Sequence, residues 1–343
     1  AGSANGTGGI TKVGGSALSL TADNAYTGAT HVTAGTLALV GSGAIAQSSS
    51  VNLNGVDAVL DISATNAGAT LNNLSGVSGS QIALGAQTLT VNSTSDTVFA
   101  GSVAGSGGLT KNGSNTLAMA GDNSYTGVTN IAAGTLALAG SGSIAQSSHV
   151  DLGSSTSVLD ISATSAGATV NNLSGVVGSQ VNLGAQALTV NSNIDTTYAG
   201  NVGGTGGLTK IGMGTLLLEG ANAFSGATDV AAGTLALSGA GSIAQSSGVN
   251  LSSASSLLDV SATTTGATIN NLSGVMGSQV NLGAQALTVN STSDTSYAGS
   301  LNGTGGVTKT GANALVLSAV NSYTGTTDVA AGTLALAGSG SIA

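Results

Sequence analysis

The stretch Ala133-Gly134-Thr135-Leu136-Ala137-Leu138-Ala139-Gly140-Ser141-Gly142 decides the fold. Two leucines stand at alternate positions between glycine turns. Residues i and i+2 of a strand share a face, so this is a short strand with one apolar side and turn chemistry at each end. The same grammar surrounds it. Leu117/Met119, Val150/Leu152, Leu159/Ile161, Val181/Leu183 and Leu188/Val190 are further alternating pairs, separated by Gly, Ser, Asn, Thr and Ala. No helical stripe runs longer than about two turns.

The pattern also recurs at long range. The four lysines, Lys12, Lys111, Lys210 and Lys309, each follow the last by 99 residues. The aromatics form two series in the same step, Tyr26, Tyr125, Phe224, Tyr323 and Phe99, Tyr198, Tyr297. Asp61, Asp160, Asp259 and Asp96, Asp195, Asp294 do likewise. One unit is therefore copied head to tail without insertion or deletion, as 1–99, 100–198, 199–297 and a partial 298–343. A fixed long period means a solenoid or an array. No composition shift marks a linker, so residues 1–343 read as one continuous body. Ser339–Ala343 repeats Ser141–Ala145 and breaks off inside a unit, which reads as an excerpt of a longer chain.

Within the third copy, Gly-Ala and Gln-Ala junctions cut the unit into Gly207–Gly226, Ala227–Gly248, Val249–Gly266, Ala267–Gln285 and Ala286–Gly305. Five pieces of roughly 20 residues are the size of parallel β-helix coils, stacked ~4.8 Å apart. About seventeen such coils would extend roughly 80 Å. A thin stacked core takes Leu, Val, Ile and Ala, with Gly and Asn at positive-φ corners. The chain has no Pro, which suits strands that donate ladder bonds on both sides. A β-sandwich is the competing all-β reading, and it would favour hairpins and large aromatics.

Composition narrows the function. Gly supplies 56 of 343 residues and only 5% are charged, but 41% are hydrophobic and patterned, against disorder. A net charge of −9 with no Arg argues against nucleic acid and anionic membranes. The absence of Cys removes disulfides and thiolate metal sites, and it suits a chain exported unfolded into an oxidising compartment.

Candidate sites are few. The lysines, each in a Thr-Lys step near a Gly, read as solvated strand-end charges that discourage sideways pairing. A cation clamp or a covalent cross-link is the functional alternative. The periodic acids read as surface charge, because carboxylates about five coils apart cannot share a calcium ion. His31 and His149 lack repeated acid–base partners, which disfavours a Ser-His-Asp arrangement. No metal and no cofactor is expected. Outward rows of Tyr26, Tyr125, Phe224, Tyr323 and Phe99, Tyr198, Tyr297 would offer contact to glycans or protein; the alternative is that each ring covers a corner of its own coil. Threonines recurring only once per unit do not make an ice-binding face.

Gly207-Leu208-Thr209-Lys210, Gly214-Thr215-Leu216, Phe224-Ser225-Gly226 and Ala232-Gly233-Thr234-Leu235 follow one another in a set order, with copies from Gly9, Gly108 and Gly306. This resembles the autotransporter-associated β-strand repeat, over about 30 of every 99 residues. The resemblance implies a right-handed β-helical passenger, commonly an adhesin or stalk. It also implies export to the Gram-negative surface through an outer-membrane translocator barrel, which this sequence does not contain. The reading is thus a non-enzymatic stalk that promotes adhesion, cell–cell aggregation or biofilm. A self-assembling extracellular fibre and a β-helical polysaccharide enzyme are the alternatives. Host or glycan surface ligands are the external partners expected. Neither Ala1–Gly9 nor Ser339–Ala343 looks like a solenoid cap, so self-association, end to end or side by side, is expected as well.

Overall fold

The computed structural model describes residues 2–342. The chain is all-β, and its parallel strands stack as a β-solenoid. No helix among the described residues is long and apolar enough to cross a membrane. Two compact units divide the chain, one formed by residues up to 171 with 178–180, the other by 172–177 with those from 181 onward. Each is built from the same coils.

In the first unit, strands of three to seven residues form three larger parallel sheets, one on each side of the coil, beside a two-stranded sheet of Asn5–Gly6 and Ala25–Tyr26. Along many strands buried and half-exposed residues alternate, as in Val51–Leu53, Thr129–Ile131 and Val150–Leu152. Register stacks like upon like. Leu37, Leu60, Ile82 and Val103 lie opposite one another down one sheet, and Leu117, Leu136 and Leu159 down another. The pairs Leu136/Leu138 and Val181/Leu183 are at most 1% exposed. Burial of each such side chain contributes about 1.5–3 kcal/mol. The core is therefore narrow columns of aliphatic side chains, one residue deep.

Corners are set by close backbone approach. Gly134 has φ 66°, and a Cβ there would collide with the carbonyl oxygen of Gly113 on the coil before. Where a side chain is kept at positive φ, the residue is Asn. Asn73 and Asn271 have φ 47° and 45°, and each carboxamide oxygen accepts two backbone amides of the next coil, Thr94 and Ser95 or Thr292 and Ser293.

The 99-residue unit is close to five coils but not equal to them. Five steps down one sheet lead from Ile10–Lys12 through Thr30–Val32, Val51–Leu53, Leu74–Gly76 and Thr97–Phe99 to Thr116–Met119. The copy of Ile10–Lys12 is Leu109–Asn112, which lies in a different sheet. The unit falls short by one of the three sides of a coil. The second unit shows the same shift, since Leu208–Ile211 and its copy Val307–Thr310 occupy different sheets. Within each unit, equivalent residues in successive copies therefore face different directions.

Two experiments check this architecture. Leu138→Asp places an unpaired charge in an aliphatic column and should destabilise by about 4 kcal/mol or more. Met276→Asp, at a side chain 80% exposed, should stay within about 0.5 kcal/mol; thermal unfolding followed by far-UV dichroism compares them. For the register, the outward neighbours Thr70 and Thr90 are opposite on adjacent coils. The pair Thr70→Cys/Thr90→Cys should oxidise to an intramolecular disulfide. The pair Thr11→Cys/Thr110→Cys, 99 residues apart, should not, as mass spectrometry of the oxidised protein will show.

Candidate functional site

The lysines overturn the expectation of solvated charges. Lys111, Lys210 and Lys309 are fully buried and Lys12 is nearly so. The cause is strand parity: in Leu109-Thr110-Lys111 the lysine shares the inward phase of the leucine, and Lys111 stacks between Val91 and Ile131. Its ammonium donates to the carbonyl oxygens of Asn112, Gly113 and Ala133 at 3.0, 2.8 and 3.0 Å. Lys210 meets Ile211, Gly212 and Ala232 at 3.0, 2.7 and 3.1 Å. Lys309 meets Thr310, Gly311 and Ala331 at 2.6, 2.9 and 3.1 Å. Lys12 meets Val13, Gly14 and Ala34 at 3.0, 2.5 and 2.9 Å. Each of the three ammonium hydrogens has its own acceptor. Burial pushes the Lys111 and Lys210 groups down to about 8, with Asp96 and Asp195 opposing. A neutral amine would have two hydrogens for three carbonyls, so the acceptor set itself favours the charged form.

The aromatic residues are inside as well. Tyr26, Tyr125, Phe224, Tyr323, Phe99, Tyr198 and Tyr297 are at most 2% exposed, so their rings fill the coil and present no face to a glycan or a protein. The Tyr125 hydroxyl and Thr129 Oγ1 share a hydrogen bond at 2.6 Å, Thr129 donates to Ser147 at 2.9 Å, and Ser147 donates to the Gly127 carbonyl at 2.8 Å. Tyr26 and Tyr323 make the same contact with Thr30 and Thr327. Burial raises the Tyr125 and Tyr297 hydroxyls above their ordinary value. In the other series, the Tyr198 and Tyr297 hydroxyls donate to the Asn201 and Ser300 carbonyls at 3.3 and 3.4 Å.

The periodic acids divide by role. Asp96, Asp195 and Asp294 are exposed, and each accepts a backbone amide of the next coil, from Thr116, Thr215 or Ala314, at 2.7–2.8 Å. That bond holds Asp96 below the usual carboxylate range. Asp61, Asp160 and Asp259 accept the amide two residues on, at 2.9 Å. His31 Nδ1 lies 3.2 Å from the Asn54 amide nitrogen, and burial lowers His149 against the pull of Asp151. Among the described residues no three His, Asp or Glu side chains gather as metal ligands require. Three surface grooves, of about 220, 300 and 220 Å³, are lined chiefly by Gly, Ala, Ser and Thr.

Residues 10–39, 109–138, 208–237 and 307–336 match the Passenger-associated-transport-repeat family. The chain carries four passenger-associated-transport repeats. Each repeat contains a lysine together with all three of its acceptors, and the adjoining aromatic with its threonine. The chain is 34% identical over 331 residues, 94% of its length, to the adhesin BmaC autotransporter of Brucella suis biovar 1, and it spans 9% of that relative. No solved structure matches it. Sequence reasoning found the repeat but missed the interior role of its lysine. The parity of Leu109 and Lys111 was the available signal.

Phe224 occupies a tyrosine position without a hydroxyl, and Thr228 there still donates to Ser246 at 2.9 Å. Tyr125→Phe should therefore cost only about 1 kcal/mol, whereas Tyr125→Ala should cost about 3–5 kcal/mol by emptying the coil. Urea unfolding midpoints of the two variants check the difference.

Proposed function

We propose that this chain is a passenger segment of an autotransporter adhesin, carried to the surface of a Gram-negative bacterium, where it acts as a non-enzymatic stalk. The observation that carries the reading is the likeness of nearly the whole chain to part of an autotransporter adhesin, together with the four transport repeats. The structure is in keeping with a mechanical role. The lysine ammoniums and the Tyr125 hydroxyl are spent inside the coils on holding one coil to the next, and the exposed Asp96, Asp195 and Asp294 each hold an amide of the following coil. The grooves named above contain no titratable side chain. The surface is mostly Thr, Asn, Ser and Gly with a weak negative charge of −9, so neighbouring copies repel weakly and can approach side by side. Such contacts between cells would produce aggregation and biofilm.

A display experiment tests this. The chain is fused to a heterologous outer-membrane translocator barrel and expressed on a non-aggregating Gram-negative host. Cells bearing it should settle faster and retain more biomass on an abiotic surface than cells bearing the barrel alone. Equal settling and equal biomass, with surface exposure verified by antibody, would remove the adhesive role.

A further inference from the structure

The three acceptors of each lysine are not equivalent. Two belong to the lysine's own corner, Asn112 and Gly113 for Lys111. The third, Ala133, lies 22 residues ahead on the following coil. Lys12, Lys210 and Lys309 repeat the division, with Ala34, Ala232 and Ala331 as the distant acceptors. All three ammonium hydrogens are thereby used, and none is left for the coil before. Glycine makes the corner possible: Gly113 and Gly212 both have φ 79°, and their carbonyls are among the acceptors.

We propose that each lysine is a one-way lock that fixes its corner to the coil C-terminal to it, so that the order of that corner depends on the following coil being in place. Before that coil docks, the ammonium has two acceptors for three hydrogens, and a buried charge with an unmet donor is strongly disfavoured. The lysine then remains in water and its corner remains open. Docking of the next coil supplies the last carbonyl and draws the side chain in. The backbone ties this corner on both sides, with the amides of Ala132 and Ala133 on the Lys111 carbonyl at 2.9 and 3.4 Å and the Ser93 amide of the coil before on the Asn112 carbonyl at 2.8 Å, so the direction lies in the lysine side chain. Coils are thus tied in sequence, each to its successor, once per repeat.

The chain has no Arg and only these four Lys, so a trypsin-type protease reports the opening of each lock by the position it cuts. The test uses the full chain. Lys111→Met keeps the aliphatic stem but leaves the Gly113 and Ala133 carbonyls without a donor, while the Asn112 carbonyl keeps the Ser93 amide. Lys111→Arg keeps the charge, but its planar fork does not fit three carbonyls gathered around a point charge. In Lys111→Met, hydrogen exchange at Ala132 and Ala133 should quicken roughly tenfold to a hundredfold, while the Ser93 amide, which bonds the Asn112 carbonyl from the preceding side, keeps its protection. In Lys111→Arg, trypsin should cut after position 111 at least about tenfold faster than in the wild type, with position 210 unaffected. Unchanged exchange at Ala132 and Ala133, or equal loss at Ser93, overturns the lock. Should neither variant fold, the wild type decides under rising urea. Cutting at Lys111 that tracks the loss of protection at Ala132 and Ala133 supports the proposal, and cutting that precedes it refutes the proposal.

Discussion

The backbone hydrogen-bond ladder from each coil to the next is the constraint on which the rest of this structure depends. A parallel strand inside a stack must satisfy donors and acceptors on both sides, which excludes proline and leaves each coil the length its neighbours dictate. Register steps of 20, 21 and 23 residues between successive coils meet that demand. At the corners the ladder breaks, and its loose ends are collected by particular side chains. Asn73 takes two amides, Asp96 takes one, and Lys111 gives its three hydrogens to carbonyls. Glycine fills the positions where one backbone lies directly on another, as Gly134 does on Gly113.

This division explains why the interior is not simply greasy. Strand centres bury Leu, Val and Ile in columns, whereas corners bury lysine, tyrosine, threonine and serine. A point charge with three rotatable hydrogens suits a corner whose carbonyls converge from two coils. The Tyr125–Thr129–Ser147 chain links the ring of one coil to the turn of the next. In a body one side chain deep, such cross-ties replace the bulk that a globular core would supply.

The mismatch between unit and coil has its own consequence. Because 99 residues stop one side short of five coils, Lys12 and Lys111 lie in different sheets of one unit, and so do Lys210 and Lys309. Within each unit, whatever a repeat displays outwardly is turned to a new side in the next copy. An outward feature of the repeat therefore makes no continuous stripe within a unit.

Alternation and period were fully legible in the chain itself. Leu136 and Leu138 announced an inward face, and the 99-residue step of Lys12, Lys111, Lys210 and Lys309 announced the repeat, because both depend only on neighbours in sequence. The parity of Leu109 and Lys111 also placed the lysine inward, yet charge argued for solvent, and nothing local revealed the compensation. Ala133 contributes a backbone carbonyl, which every residue possesses, so its part in the ammonium site leaves no trace in residue identity. The aromatic rings were equally ambiguous: Tyr125 occupies a turn-like Tyr-Thr-Gly step that either face could hold, and only the Thr129 and Ser147 hydroxyls brought beneath it decided for the inside. The sidedness of the repeats likewise belonged to the tertiary structure, since the few residues by which five coils exceed one unit are set by register between coils, and register is a property of stacked backbones.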